Sequence, residues 1–240
     1  MTSTRRKFVK LAGVSGVAAV PLSAAGEAGP SAFLAVFSQR QTVRRYKQDP
    51  VPEEHLRRIL DAARRGPTCM NQQPWKFLVV RDKAKIGLMR KRTLEILERN
   101  FVEYAAKNKD VAAAELEKKK TDAVRFTEGY FTAPVYVAVL VDTESPCSGY
   151  AKNHDGPIAA AYLMLAARAF GYGTAYLTDG IPEAVAREVL EIPARYYRVC
   201  VTPIGVPDGW PKKVAKRDLD EVVAWETLGK GPYKAIPYNP

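Results

Sequence analysis

The sequence predicts a layered domain of the α/β or α+β type, and three observations carry that reading. Runs rich in β-branched and aromatic residues stand at 75–81, 135–141 and 197–204, separated by long stretches and not by tight hairpin turns. Helical patterns lie between them, above all at 51–63 and 157–170. About 215 residues of the 240 follow the N-terminal leader, enough for one well-buried domain.

The leader begins Thr4-Arg5-Arg6-Lys7-Phe8-Val9-Lys10. An uncharged stretch follows at 11–25, too short and too rich in Gly and Ala to span a bilayer as a stable helix. The pattern resembles a twin-arginine (Tat) signal, which hands a folded protein, often with cofactor already bound, to the Tat translocase for export to the periplasm or cell exterior. Ser23 and Ala25 provide a cleavage site, with 26–28 as a second choice. Residues 1–28 are therefore expected as signal peptide and 31–240 as the folded domain. The alternative is a basic N-terminal tail on a cytoplasmic protein.

Residues 31–40 read as a short helix. Val51-Pro52-Glu53-Glu54 opens a second: Pro52 sets the turn, the acids suit the positive end of the helix dipole, and Leu56, Ile59, Leu60 and Ala63 form an apolar stripe. Gly66-Pro67 stops it. Between the strands at 75–81 and 135–141, residues 83–128 are charged and helical, with a solvent-facing middle at 107–120 that is a surface helix or a lid. Residues 157–170 are apolar nearly all round and predict a buried helix, with Asp155 as its N-cap and Pro157 at its start. Gly171-Tyr172-Gly173 ends it. A short strand at 174–177, a helix at 182–190, the strand at 197–204, a turn at 205–211 and a short helix at 218–225 complete the domain. The tail from 228 to 240, with three Pro and two Gly, cannot build a core alone; it is disordered or lies across another subunit.

Net charge is +11, of which Arg5, Arg6, Lys7 and Lys10 supply four, leaving +7. A basic surface suits nucleic acid, anionic lipid or an anionic cofactor. Here Lys and Arg are scattered among acids on predicted helices, and no aromatic-interleaved basic motif occurs, so nucleic acid is not expected as a partner. Cys69, Cys147 and Cys200 are odd in number and far apart, as are His55 and His154, so no metal site is expected. One disulfide would fit an oxidising compartment, but its pairing is open.

Chemistry concentrates in three segments. Arg40-Gln41-Thr42-Val43-Arg44-Arg45-Tyr46 sets guanidinium forks beside a hydroxyl, a combination that suits phosphate. Gly66-Pro67-Thr68-Cys69-Met70-Asn71-Gln72-Gln73-Pro74-Trp75 is an amide-rich loop entering a strand, able to read the edge of a heteroaromatic ring. Tyr176-Leu177-Thr178-Asp179-Gly180-Ile181-Pro182 is a strand-to-helix junction whose backbone N–H groups are open to a ligand. Each alone also reads as an ordinary loop.

In this order and spacing, with 51–63 between the first two and Gly205-Val206-Pro207 then Leu219–Trp225 after them, the segments resemble the FMN-dependent nitroreductase family. The resemblance spans roughly residues 35–228. It implies a three-layer α/β/α fold of the α+β class, a central, mainly antiparallel sheet flanked by helices, and a homodimer that exchanges C-terminal arms (226–240). It implies FMN as cofactor. Arg40, Gln41, Thr42 and Arg44 match the positions that hold the phosphate and ribityl chain, and Pro67, Thr68, Cys69 and Asn71 the loop lining the flavin, in part from the opposite subunit. Thr178, Asp179 and Gly180 match the junction whose backbone N–H faces flavin N5. Lys213, Lys216 and Arg217 stand where the family carries a late basic phrase. The usual Gln-Asn pair of the buried helix is Ala161-Tyr162 here.

No catalytic side chain is implied, because the flavin passes a hydride through N5 from donor to acceptor in a ping-pong cycle. The acceptor class is a small aromatic, quinone or enone-like molecule. The donor is NAD(P)H or, after export, an unidentified periplasmic reductant. The alternative is a non-enzymatic flavin or nucleotide carrier on the same fold.

Overall fold

The computed structural model describes residues 30–228; the expected signal peptide and the tail beyond 228 lie outside the described residues. Helix α1 (Pro30–Gln39) belongs to a unit of its own ending at Gln39, and in it Phe33 and Phe37 meet edge-to-face one turn apart.

From Arg40 onward the described residues are built on one antiparallel sheet of four strands, β1 (Trp75–Val80), β2 (Val135–Asp142), β3 (Gly173–Thr174) and β4 (Tyr196–Gly205), in the order β1-β2-β4-β3. β2 is central and buried on both faces, so its sequence Val-Tyr-Val-Ala-Val-Leu-Val is continuously apolar without polar alternation. The period of two sorts it: Val135, Val137, Val139 and Val141 join one core, Tyr136, Ala138 and Leu140 the other.

Helices α2 (Glu53–Ala63) and α6 (Gly156–Ala169) cover the first face through Leu56, Ile59, Ala63, Leu163 and Ala167. The second face is covered by α3 (Lys83–Lys107), the end of α4 (Ala113–Tyr130) and α7 (Glu183–Leu190), through Ile86, Met89, Tyr130, Val185 and Val189. Three layers result, as the resemblance implied. The side chain of Asp82 caps α3 by accepting from the backbone N–H of Ala84 at 2.7 Å and of Lys85 at 3.4 Å. Gly156 lets α6 start against the sheet: a Cβ there would collide with Val199 and Val141.

A bulge interrupts the β2–β4 ladder. Val139 pairs with Cys200 but Leu140 with Arg198, leaving Val199 as the extra residue. Val199 and Cys200 therefore both face the α2–α6 core, and Arg198 is turned to the other side, where α7 lies.

Four expectations are corrected. Asp155 is no N-cap: it already has helical backbone angles within a π-turn (Ala151–Asp155), and its side chain makes no capping bond. Helix α6 is not buried all round; its apolar character hides one core face, while Tyr162 on the outer face is 41% exposed. The strand at 174–177 shrinks to β3 plus a single bridge from Leu177 to Val201. The helix at 218–225 is one turn, α8 (Leu219–Val222), because Val223 turns extended. A further short helix, α5 (Ser148–Tyr150), precedes the π-turn.

Candidate functional site

The first segment lies along the sheet edge beyond β3. Thr42 bridges Thr174 in parallel, and the Val43 N–H donates to the Thr174 carbonyl at 2.9 Å. Further on, the Lys47 N–H donates to Val206 and the Asp208 N–H to Arg45. Val43 and Tyr46 are buried, and Arg44 and Arg45 between them are exposed. The Tyr46 hydroxyl donates to the Val43 carbonyl at 2.6 Å, and burial, with Tyr136 and Tyr130 nearby, pushes its phenol far above the ordinary tyrosine range. Arg40, Gln41 and Thr42 are half-buried. The Arg40 guanidinium makes no hydrogen bond or ion pair among the described residues. A half-buried cation so placed is a ready anion site.

Arg44 reaches across to α4. Its Nε donates to the Tyr130 hydroxyl at 3.2 Å, and its guanidinium lies 5.0 Å from the centre of the Phe126 ring. Tyr130 also meets the third segment: a methyl placed on Gly180 would lie 3.5 Å from the Tyr130 ring and 3.3 Å from Leu177. The structure thus brings Arg44 and Gly180 together around Tyr130, a residue that sequence reading passed over as one of twelve tyrosines.

The third segment is fixed from below by Arg198, which is 7% exposed. Its guanidinium donates to the Thr178 carbonyl at 2.7 Å, to the Ile181 carbonyl at 2.9 Å, and pairs with Glu183. Those bonds leave Asp179 exposed and Gly180 half-buried, with Thr178 Oγ1 3.4 Å from an Asp179 carboxylate oxygen. Arg198 was also missed, since only the bulge turns it into this loop.

The second segment concentrates left-handed backbone. Met70, Asn71 and Gln73 carry φ of +48°, +55° and +49°, and none is glycine. The left-handed region costs a non-glycine residue about 1–2 kcal/mol, less for Asn. Pro67 is exposed and Thr68 half-buried, with Thr68 Oγ1 accepting from the Gln73 N–H at 3.1 Å. Cys69 is bonded to Cys147, Cα to Cα 6.1 Å, and its N–H donates to the Asp155 carboxylate at 3.3 Å. This resolves the open pairing and replaces both readings of Cys69 as a free residue, small core filler or thiol. Cys200 is the free, buried cysteine, its thiol pushed up to about 12 by desolvation.

The late basic residues stand apart from this cluster. Lys213 and Lys216 are exposed on irregular backbone after β4 and make no hydrogen bond or ion pair among the described residues. Arg217 pairs with Glu221 at 3.3 Å.

The sequence pattern of the nitroreductase family matches residues 37–206, more than two thirds of the chain and all three segments. The chain belongs to the nitroreductase family. The phrase at 213–217 falls outside the matched stretch. Among relatives, an NADH dehydrogenase of Thermus thermophilus is 28% identical over 192 residues, spanning 78% of this chain and 92% of its own. An iodotyrosine deiodinase of Thermotoga neapolitana is 29% identical over 193 residues, 79% and 95% respectively. Among solved structures, oxidised iodotyrosine deiodinase bound to FMN and 3-iodo-L-tyrosine superposes with a TM-score of 0.65 at 24% identity, covering 82% of this chain and all of that one. At that identity the likeness speaks for the nitroreductase-like fold, which the three-layer architecture shares.

Proposed function

We propose that this nitroreductase-family chain is an FMN-dependent oxidoreductase, exported by the Tat route and completed as a homodimer. The observation that carries the cofactor is the pairing of Arg40, a half-buried guanidinium without a counter-ion among the described residues, with the Arg44–Tyr130–Gly180 cluster on the same sheet edge. The residues fit the group. Arg40 and Thr42 hold the phosphate, one by charge-assisted bonds and one by a neutral hydroxyl. Gln41 lies beside them at the ribityl chain. Arg44 and the backbone N–H groups of Asp179 and Gly180 place positive potential where a reduced isoalloxazine carries negative charge. Pro67, Thr68, Cys69 and Asn71 line the ring, and Lys213, Lys216 and Arg217 lend longer-range positive charge. Bound FMN supplies the two-electron chemistry, taking hydride from a donor and giving it to an acceptor. Among acceptors we place small nitroaromatics, quinones, enones and halogenated phenols, the last because a deiodinase is among the relatives.

Export is supported by the Cys69–Cys147 disulfide, a bond that persists in oxidising compartments and is rare in reducing ones. Outside the cytoplasm NAD(P)H is scarce, so the physiological donor is a periplasmic reductant, with NAD(P)H as a competent laboratory substitute. Association in pairs is supported by large apolar side chains left open on the single chain, Tyr162 on α6 and Trp225 and Leu228 near the C-terminus.

The binding test compares FMN with riboflavin, which lacks the phosphate. Arg40→Ala should weaken FMN about 10- to 150-fold, the worth of a charge-assisted bond, and leave riboflavin unchanged. Equal losses for both ligands would remove Arg40 from the phosphate site. Bound flavin that is never reduced by any donor except dithionite would favour a carrier over an enzyme.

A further inference from the structure

The loop at residues 67–73 is held mainly from outside itself. Its internal bonds are Asn71 N–H to the Thr68 carbonyl at 3.1 Å, Gln72 N–H to the Cys69 carbonyl at 3.0 Å, Gln73 N–H to Thr68 Oγ1 at 3.1 Å, and Gln73 Nε2 to the Asn71 carbonyl at 3.5 Å and to Asn71 Oδ1 at 3.3 Å. Asn71, Gln72 and Gln73 are exposed, so water competes for these bonds and they contribute little net. Met70 is 82% exposed, so side-chain burial contributes little to selecting its left-handed backbone. Backbone in a sparsely populated region persists only where surroundings over-determine it.

Two anchors do so, and both sit on one segment. Cys69 is joined to Cys147 across 78 residues of sequence. The Cys69 N–H is also held by Asp155, which is 3% exposed and whose second carboxylate oxygen is buried without a partner among the described residues. Cys147 precedes α5, Asp155 ends the π-turn that leads into α6, and Ala151 between them is fully buried. The anchor residues are therefore buried where Met70, Asn71, Gln72 and Gln73 are exposed. If Cys69 swings away, the buried Asp155 carboxylate loses its bond from the Cys69 N–H, a costly loss for a buried acceptor.

We propose that Cys69–Cys147 is a redox latch on the cofactor loop, setting it for flavin when oxidised and releasing it when reduced. This rests on the reading of the 67–73 loop as flavin-lining. In the step, a dithiol reductant gives two electrons and two protons, the S–S bond breaks, Cys69 and Cys147 become thiols, and the dithiol becomes a disulfide. Cys69 is half-buried, within reach of such a reductant, while Cys147 is 7% exposed, so exchange enters at the loop side. Once free, the loop spreads over other backbone conformers, and apparent affinity falls by the fraction that stays competent; one part in ten competent raises Kd about tenfold.

The test uses the full chain, oxidised and after reduction by a phosphine, with thiol content verified by mass. Hydrogen exchange over residues 66–75 is read without FMN, and FMN affinity is read by fluorescence quenching. Faster exchange in 66–75 on reduction, together with Kd raised about tenfold or more, supports the latch. Unchanged exchange and unchanged Kd in verified dithiol protein overturn it. Cys69→Ser/Cys147→Ser serves as a second route to the open form if the bond resists reduction, and is expected to match the reduced protein. If neither form binds FMN, the cofactor reading fails, while the exchange arm still decides whether the bond holds the loop.

Discussion

Replacing Arg198 with Met should loosen the Thr178–Ile181 junction far more than any surface substitution. The guanidinium is 7% exposed and donates to two backbone carbonyls, Thr178 and Ile181. Methionine fills similar volume and restores neither bond, so the buried Ile181 carbonyl and the part-buried Thr178 carbonyl lose their donor at about 1–3 kcal/mol each. Glu183 is 45% exposed at its side chain and returns to water, so the ion pair adds little to the total. The sum is about 4 kcal/mol, and at ~2–4 °C per kcal/mol for a domain of this size the melting temperature falls by roughly 8–16 °C. Arg198→Lys keeps the charge but not the fork, and should fall between parent and Met. The assay is thermal unfolding by circular dichroism, with hydrogen exchange across 178–183. A Met variant that melts within about 2 °C of the parent, with that loop's exchange unchanged, would refute the clamp.

Other expectations follow from the same contacts. Cys200, fully buried with its thiol raised to about 12, should resist alkylation in the native protein at neutral pH, and only Cys69 and Cys147 should label after reduction; rapid labelling of Cys200 would contradict its placement. Gly156→Ala should cost about 1–3 kcal/mol by forcing Val199 and Val141 apart, read as a lowered denaturation midpoint; an unchanged midpoint would mean α6 can shift. Truncation after Trp225 should weaken the proposed dimer and its flavin content by light scattering and absorbance; an intact, fully flavinated dimer would exclude an arm that spans subunits.

Much of this architecture was legible in the chain because periodicity and punctuation agree. Leu56, Ile59 and Ala63 recur at helical spacing behind Pro52, and α2 ends where Gly66-Pro67 requires. The central strand could be placed from its own residues, but its direction came only from the resemblance, since an all-apolar run does not distinguish parallel from antiparallel pairing. What sequence hid was long-range. Arg198 enters the candidate site only because Val199 bulges, and a one-residue register change carries no local signal. Tyr130 serves two segments, 86 and 50 residues away, through a hydroxyl and a ring face. Asp155 looked like a cap from its place before Gly156-Pro157, yet a π-turn had already begun at Ala151. The disulfide could not be assigned because three cysteines allow three pairings.

The most direct test of the central claim is an anaerobic absorbance titration of the purified protein loaded with FMN. The account predicts a bound flavin whose visible band bleaches when a two-electron donor is added and returns when a nitroaromatic or quinone follows. A protein that binds no FMN, before or after oxidation of Cys69 and Cys147, would contradict it.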